Sequence, residues 1–155
     1  VPCGDWMWMK EINFESVSYM GGDIVPEIIE ENNIMYGNEN VKFKTIDIRI
    51  DELGNYDLLV VRDLLSHFHD TQIKKTIINI KKNNIKYIAI TNYPHTVENI
   101  ENKYGDNWRP VNFLISPFNF PKPDIILPDM DPNPNPNAKH KNLSIWKIDN
   151  FKVNL

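Results

Sequence analysis

Acidic residues at matching places in the sequence are the first sign of chemistry in this chain. Asp23, Asp47 and Asp63 each stand at the carboxyl end of a stretch with the composition of a β-strand. Ligands of open α/β sheets bind outside the carboxyl ends of the strands. Any one of these residues is equally well explained as the cap of a turn or of the next helix. The series of three nevertheless favours a ligand site.

A glycine turn precedes the first of these acids. It lies in "VPCGDWMWMKEI" (1–12), and Asp23 follows Gly4 by 19 positions. In Rossmann-like sites, an acid about 20 positions after the glycine turn accepts hydrogen bonds from the ribose hydroxyls. A carboxylate suits this task because it can accept from two vicinal hydroxyls at once. The spacing therefore predicts a cofactor of the adenosine type.

The composition of the turn indicates which adenosine cofactor it would bind. A dinucleotide needs a pyrophosphate cradle, usually G-x-G-x-x-G, but here a single glycine stands between Pro2 and Trp6. An anionic phosphate also gains little beside Asp5. S-adenosylmethionine (SAM) has no phosphate and carries a sulfonium cation, so an acidic turn suits it better. Gly4 would let the backbone approach the cofactor closely.

Composition and charge limit the classes of partner. The 155 residues are 41% hydrophobic and 25% charged, as in a soluble globular domain, and the net charge is -4. This balance argues against nucleic acid or an anionic membrane as the main partner, because both need a basic face. The basic stretch 73–86 reads instead as a solvated helix face. No apolar run approaches transmembrane length.

Cysteine content and the first residue bear on location. Cys3 is the only cysteine, so no internal disulfide can form, which fits a reducing compartment. We therefore expect a cytoplasmic protein. Because Val1 is not a natural start, we also expect the chain to be truncated at its amino end.

Strand-like and helix-like segments alternate through the first 93 residues. The pattern predicts strands at 16–24, 41–48, 56–63 and 85–93, and helices at 6–12, 26–37 and 70–84. Pro26 suits the first turn of its helix, Gly37 its end, and Asp70 the N-cap of the next helix. This rhythm predicts a parallel sheet with helices on both faces, within a single domain over 1–155.

The pattern changes after Pro94. An aromatic and proline-rich segment predicts a long ordered loop, followed by two strands at 124–130 and 143–149. The Pro-Asn repeat of 131–142 predicts an exposed linker between them. Consecutive strands without a helix predict an antiparallel terminal hairpin. We also expect core positions for the following aromatic and sulfur-containing residues: Trp6, Trp8, Met9, Phe118, Phe120 and Trp146.

Several motifs together resemble a known family. They are "PCGDWMWMKEI", "YMGGDIVPEII", "VVRDLLSHF", "TNYP", "WRPVNF" and "PFNFPKP". With them, the chain from Pro2 to about Trp146 resembles the class I (Rossmann-like) SAM-dependent methyltransferases, and more closely a small subgroup of these enzymes. The resemblance implies a seven-stranded sheet with an antiparallel last strand, which agrees with the predicted hairpin.

The resemblance also implies roles for the residues at the strand ends. The methionine end of SAM would lie along Cys3, Gly4 and Asp5. The ribose hydroxyls would bind Asp23, with Ile24 against the adenine. The remaining cofactor contacts would lie further along the chain: Asp47 and Ile48 near the adenine amino edge, and Arg62 and Asp63 closing the pocket.

The first motif departs from the family pattern. That pattern is acid-x-Gly-x-Gly-x-Gly, whereas Pro2 stands at the first glycine and Trp6 at the third. The leading acid and the first strand are absent from the sequence. We therefore expect a sheet whose truncated first strand leaves apolar edges on its neighbours.

Catalytic residues follow from the chemistry of methyl transfer. The reaction is an in-line displacement in which the protein supplies position and desolvation, and a base helps when the acceptor must lose a proton. His67 is the candidate base and Asp63 its neighbour at the strand end. Packing or capping explains His67 equally well. "HFHD" (67–70) is too weak a signal for a metal site, and we predict none.

Polar and aromatic residues cluster in the loop after the fourth predicted parallel strand. Asn92, Trp108, Arg109 and Asn112 are the candidate acceptor pocket, for a small-molecule or glycan-type acceptor. Trp108 and Arg109 could instead anchor the loop, with Arg109 pairing an acid. Two other functions stay open: a cofactor-binding module without catalysis, and an NAD-dependent oxidoreductase. The sequence does not indicate an oligomeric state.

Overall fold

The computed structural model describes residues 1–101, 108–129 and 140–151. In chain order the elements are β1 (Tyr19–Asp23), α1 (Pro26–Tyr36), β2 (Val41–Thr45), β3 (Tyr56–Val61), α2 (Asp70–Lys82), β4 (Ile85–Asn92), β5 (Ile125–Pro128) and β6 (Asn142–Lys147). Short 3₁₀ turns occupy Leu65–His67 and Ile148–Asn150. The predicted alternation and the long loop after Pro94 are confirmed in the described residues. Most of the predicted linker, 131–142, lies outside them.

The described strands form two sheets. β1 and β2 pair in parallel, and the other sheet has the order β3-β4-β6-β5. β3 and β4 are parallel, whereas β6 is antiparallel to both of its neighbours. The α/β fold and the antiparallel terminal hairpin are therefore confirmed. In the described part of the chain β1 does not pair with β3, which agrees with the expectation of a sheet whose first strand is truncated.

The first three residues lie between the two sheets. The amino group of Val1 donates to the carbonyl of Val60 on β3 at 2.6 Å. The N–H of Cys3 donates to the carbonyl of Gly22 on β1 at 2.9 Å. Backbone hydrogen bonds of residues 1–3 thus connect β1 with β3.

Both long helices form where the sequence places them. Pro26 is in the first turn of α1, and the N–H of Gly37 donates to the carbonyl of Asn33 at its end. α2 places Ile73, Ile77 and Ile80 on one buried face. The predicted N-cap of α2 is wrong by one residue: His69 caps the helix, and its N–H donates to Gln72 Oε1 at 2.9 Å.

The predicted helix at 6–12 is also wrong. The segment forms successive turns, in which Met9 N–H donates to Trp6 O and Ile12 N–H to Met9 O, both at 3.0 Å. Trp6 has a φ of 59°, in the left-handed region, which a helix cannot contain. Burial of its indole ring against Phe43 and Tyr36 holds the backbone in that conformation.

Two hydrophobic clusters stabilise the fold. The larger cluster joins α2, β3 and β4 to the aromatic loop through Phe113, Phe118 and Phe120. The smaller one packs Cys3, Trp6 and Ile29 between α1 and β2. The expected core positions are confirmed for five of the six residues, Met9 being only partly buried. Trp8 is the exception, since its side chain is 49% exposed. No helix within the described ranges is long and apolar enough to cross a membrane.

Candidate functional site

The glycine turn and the first strand-end acid are in direct contact. Gly4 N–H donates to Asp23 Oδ2 at 3.0 Å, and Val25 N–H donates to Asp23 Oδ1 at 3.2 Å. Gly4 has a φ of +52°, and a Cβ atom added to it would meet nothing within 4 Å. The turn therefore faces open space. Each oxygen of Asp23 retains a lone pair for a second donor, such as a ligand hydroxyl.

The residues beside this contact differ in what they offer a ligand. Ile24 is 56% exposed and presents an apolar face, and Asp5 is exposed. Cys3 is buried, with its thiol in the smaller core. Burial raises the pKa of the Cys3 thiol, and the nearby charge of Asp23 raises it further. The N–H of Cys3 donates to the carbonyl of Gly22 and its carbonyl accepts from Trp6 N–H, so contact of Cys3 with the methionine end of the cofactor stays a prediction.

The end of β2 carries a neutralised acid. Asp47 accepts two hydrogen bonds from the guanidinium of Arg49, at 2.8 and 2.7 Å. These bonds hold the pKa of the Asp47 carboxyl below its usual range. Ile48 packs in the larger core at 3% exposure. Both side chains thus contact other parts of the protein, and their contact with adenine stays a prediction.

A cluster of four charges joins β3 to the terminal hairpin; we call it the charge cluster. Lys141 Nζ donates to Asp63 Oδ2 at 2.9 Å and lies 3.5 Å from Asp129 Oδ2. Arg62 donates to both oxygens of Asp129, at 3.2 and 2.8 Å. Burial alone would lower the pKa of Lys141, but its bond to Asp63 and the two carboxylate charges outweigh burial and raise it.

The sequence interpretation missed two members of the charge cluster, Asp129 and Lys141. Asp129 follows β5 and Lys141 precedes β6. Because β6 is antiparallel to β4, with Asn142 opposite Asn92, this end of the hairpin lies at the carboxyl edge of β4. The predicted hairpin could have indicated these two residues, because it places any charge at that end of the hairpin beside the strand-end acids.

Asp63 links the ends of β3 and β4 through its backbone. Its N–H donates to Thr91 Oγ1 at 2.9 Å, and its φ is 53°. A non-glycine residue in the left-handed region is uncommon, and such strain clusters at functional sites. Its carboxylate is about one-third exposed, so it can reach a ligand while Lys141 holds one of its oxygens.

Arg62 connects the charge cluster to the glycine turn. Its guanidinium lies 5.3 Å from the centre of the Trp8 ring, within the range of a cation–π contact. This contact explains the exposed position of Trp8. Arg62 therefore links the segment after the glycine turn to the charge cluster.

Three of the four predicted acceptor residues make hydrogen bonds that fix the loop after β4. Asn92 Oδ1 accepts from Phe113 N–H at 2.9 Å. Asn112 donates to the carbonyls of Pro94 and Thr96. Arg109 pairs with Asp70 and donates to the carbonyl of Ile100, as in the loop-anchor alternative. These side chains hold the loop in shape, and direct contact with an acceptor stays a prediction.

The remaining predicted residues lie near one another. Trp108 is half-buried and makes an edge contact with Tyr93, at 5.6 Å between ring centres. Tyr93 also lies near Ser66, and burial together with the charge of Asp63 raises the pKa of its hydroxyl. His67, next to Ser66, is exposed. The ends of β3 and β4 and the 108–113 loop thus meet at one edge, and Tyr93 is a further residue that sequence interpretation missed.

A cavity of about 380 Å³ lies elsewhere, beside the amino ends of β1 and β2. Neither Asp23 nor the charge cluster lines it. We assign the candidate site to the carboxyl edge, because the convergent polar groups and the left-handed residues Gly4 and Asp63 lie there.

Comparisons with known proteins identify the fold. No family model and no curated protein matches the chain. A SAM-dependent methyltransferase from Methanosarcina mazei matches with a TM-score of 0.61 at 16% identity, over 92% of this chain and 87% of that one. A TehB-like SAM-dependent methyltransferase from Corynebacterium glutamicum has a TM-score of 0.59 at 13% identity, over 94% and 76%.

Magnesium protoporphyrin IX methyltransferase from Synechocystis, with bound SAH, matches with a TM-score of 0.50 at 18% identity. That match covers 62% of this chain and 46% of the enzyme, so the chain spans less than half of its length. At such low identities the likeness establishes architecture. The chain has the Rossmann-like α/β fold shared by these SAM-dependent methyltransferases.

Proposed function

We propose that this chain binds SAM at the carboxyl edge of its strands and transfers the methyl group to a small-molecule or glycan-type acceptor. The observation that carries the proposal is the contact between Gly4 and Asp23. It joins a left-handed, open glycine turn to a buried strand-end carboxylate. Further support comes from the fold, since one structural neighbour holds SAH.

The residues at this edge fit the cofactor. Asp23 would accept the ribose hydroxyls with the lone pairs that Gly4 and Val25 leave free. Ile24 would cover one face of the adenine, and the backbone of Gly4 would lie along the methionine part. The bound cofactor would supply an electrophilic methyl group on a sulfonium.

The protein would position the acceptor and remove its proton. The Trp108–Tyr93 pair would provide an aromatic wall. His67 would take up a proton from a hydroxyl or amine acceptor, and Asp63 would orient the acceptor through its exposed carboxylate. The anchored side chains of Arg109 and Asn112 would act by holding the loop that carries Trp108.

Calorimetric titration with S-adenosylhomocysteine tests the cofactor assignment. We expect micromolar binding, and a loss of about 10-fold or more in Asp23→Asn, because a hydrogen bond to a charged group contributes about 1.5–3 kcal/mol. Asp57→Asn is the matched control, since Asp57 forms an exposed pair with Lys86. Thermal melts of each variant establish that it is folded.

A second variant keeps the test decisive if Asp23→Asn does not fold. Ile24→Ala removes an exposed side chain and should weaken binding about 5-fold through lost apolar contact. Ile34→Ala, at an exposed position of α1, should not weaken it. Equal affinity in wild type, Asp23→Asn and Ile24→Ala would overturn the assignment, and binding of NADH alone would favour the oxidoreductase alternative.

A further inference from the structure

The cavity beside the amino ends of β1 and β2 is a second candidate site. The N–H of Tyr19, at the start of β1, donates to the carbonyl of Asn40, which lines the cavity. Since a strand rises about 3.3 Å per residue, Tyr19 lies about 13 Å from Asp23 along β1. We propose that this cavity binds a neutral saccharide unit. The inference is independent of the proposed function.

The floor of the cavity is aromatic. Trp6 stacks on Phe14 with ring centres 5.7 Å apart and an interplanar angle of 29°. Tyr36 lies 5.1 Å from Trp6, and all three residues line the cavity. Trp6 is 4% exposed and is fixed by its neighbours, whereas Phe14 and Tyr36 are half-buried. Phe14 and Tyr36, supported by the buried Trp6, thus offer an ordered aromatic surface that suits the apolar C–H face of a sugar ring.

The rim of the cavity is polar and is partly fixed in position. Asn38 Oδ1 accepts from the N–H groups of Asn40 and Val41, at 2.9 and 3.0 Å, which holds the turn before β2 in place. Asn13 Oδ1 accepts from Glu15 N–H at 2.8 Å, which leaves the amide NH₂ of Asn13 for a ligand. The rim therefore presents ordered amide groups around the aromatic floor.

The charges at the rim balance. Lys10 supplies a donor and Glu15 an acceptor, and they are the two charged residues among the ten that line the cavity. A saccharide hydroxyl both donates and accepts, so paired donors and acceptors match it. A strongly charged ligand gains nothing from a rim of zero net charge.

The proportion of polar groups argues against a planar heteroaromatic ligand. Pockets for such molecules are lined mostly by apolar side chains with a few polar groups. Here five of the ten lining residues are Asn, Lys or Glu. The volume of about 380 Å³ falls within the range of small-molecule sites, which is about 300–1,000 Å³.

Two-dimensional ¹H–¹⁵N NMR titration tests the inference. The probes are the methyl glycosides of glucose, galactose, mannose and N-acetylglucosamine, with indole and adenine as planar probes. We expect at least one glycoside to shift the side-chain resonances of Trp6 and Asn40 with a Kd in the millimolar range, about 1–20 mM. S-adenosylhomocysteine, added separately, should leave the side-chain resonances of Asn40 in place.

Two conservative variants locate the binding. Glu15→Gln and Lys10→Met should each weaken the glycoside about 5-fold or more, since each removes a charged hydrogen-bonding group. Glu31→Gln and Lys42→Met change exposed residues outside the cavity and should have no effect. The inference is overturned if no glycoside shifts the lining resonances at about 50 mM, a concentration above the whole range of Kd proposed. It is equally overturned if only indole or adenine does so.

Discussion

Replacing Lys141 by Met should loosen the terminal hairpin from β3. The Lys141 side chain is 6% exposed and faces Asp63 and Asp129, which are 36% and 10% exposed. Met keeps most of the apolar stem and removes the ammonium group. Breaking a fully buried ion pair costs about 3–5 kcal/mol, because it leaves a charge without a partner. Arg62 still faces both carboxylates and Asp63 is partly solvated, so we expect a loss of about 2 kcal/mol.

Urea unfolding at pH 7 measures this loss, and thermal melts should show a Tm lower by about 4–8 °C for a chain of this size. Lys147→Met, at the other end of β6, is the matched control. Lys147 pairs with Asp149 at 3.4 Å, but these side chains are 46% and 80% exposed. An exposed pair contributes about 0–1 kcal/mol, so the control should fall near zero.

The pH dependence gives an independent check. The pKa of Lys141 is raised in the folded protein, so its contribution is fully present below the ordinary lysine pKa. The contribution is lost as the pH rises through the folded value. The difference between wild type and Lys141→Met should therefore be constant from about pH 6 to 9 and shrink above about pH 10.4. Equal losses in Lys141→Met and Lys147→Met would refute the reasoning.

Three further predictions concern the strands and the buried thiol. Gly21→Ala should lower the free energy of unfolding in urea by about 1–3 kcal/mol, because the new Cβ would lie 2.4 Å from a ring carbon of Phe43. The double variant with Phe43→Leu should recover part of this loss. A single variant as stable as the wild type would contradict the packing. The Cys3 thiol, buried and with a raised pKa, should react with Ellman's reagent about 100-fold or more slowly in the folded than in the urea-unfolded chain; equal rates would show that the thiol is accessible. Asp47→Asn should lower the free energy of unfolding by about 1 kcal/mol at pH 7, because the ion pair with Arg49 lowers the pKa of the Asp47 carboxyl. This contribution to stability is present above the ordinary pKa of Asp, about 3.9, and is lost as the pH falls below it. A cost that persists unchanged at pH 3 would contradict the ion pair.

The strands and long helices could be predicted because their signals are local. The apolar run of β4 and the 3–4 spacing of Ile73, Ile77 and Ile80 each depend on a few neighbouring residues. The helix predicted at 6–12 failed for a non-local reason. Trp6 fits a pocket made by α1 and β2, and its burial imposes a left-handed backbone that no nearby residue signals.

In the candidate site, too, the sequence predicted what depends on spacing along the chain and missed what depends on the sheet topology. The pairing of Gly4 with Asp23 follows from spacing along the chain, and the structure brings them into contact. The partners of Asp63 could not be predicted in this way, because Asp129 and Lys141 are 66 or more positions away and meet it only through the sheet topology. Arg109 shows the reverse, since a residue typical of ligand sites is bound instead to Asp70.

The most direct test of the central claim is an NMR titration with S-adenosylhomocysteine that follows the backbone amides of Gly4 and Val25. Both amides donate to Asp23, so each reports on that carboxylate. We predict that both resonances shift and saturate together at micromolar ligand, and that saturation in Asp23→Asn needs about 10-fold or more ligand. Binding that leaves both amides unchanged, or no binding at all, would contradict the assignment of this edge as the cofactor site.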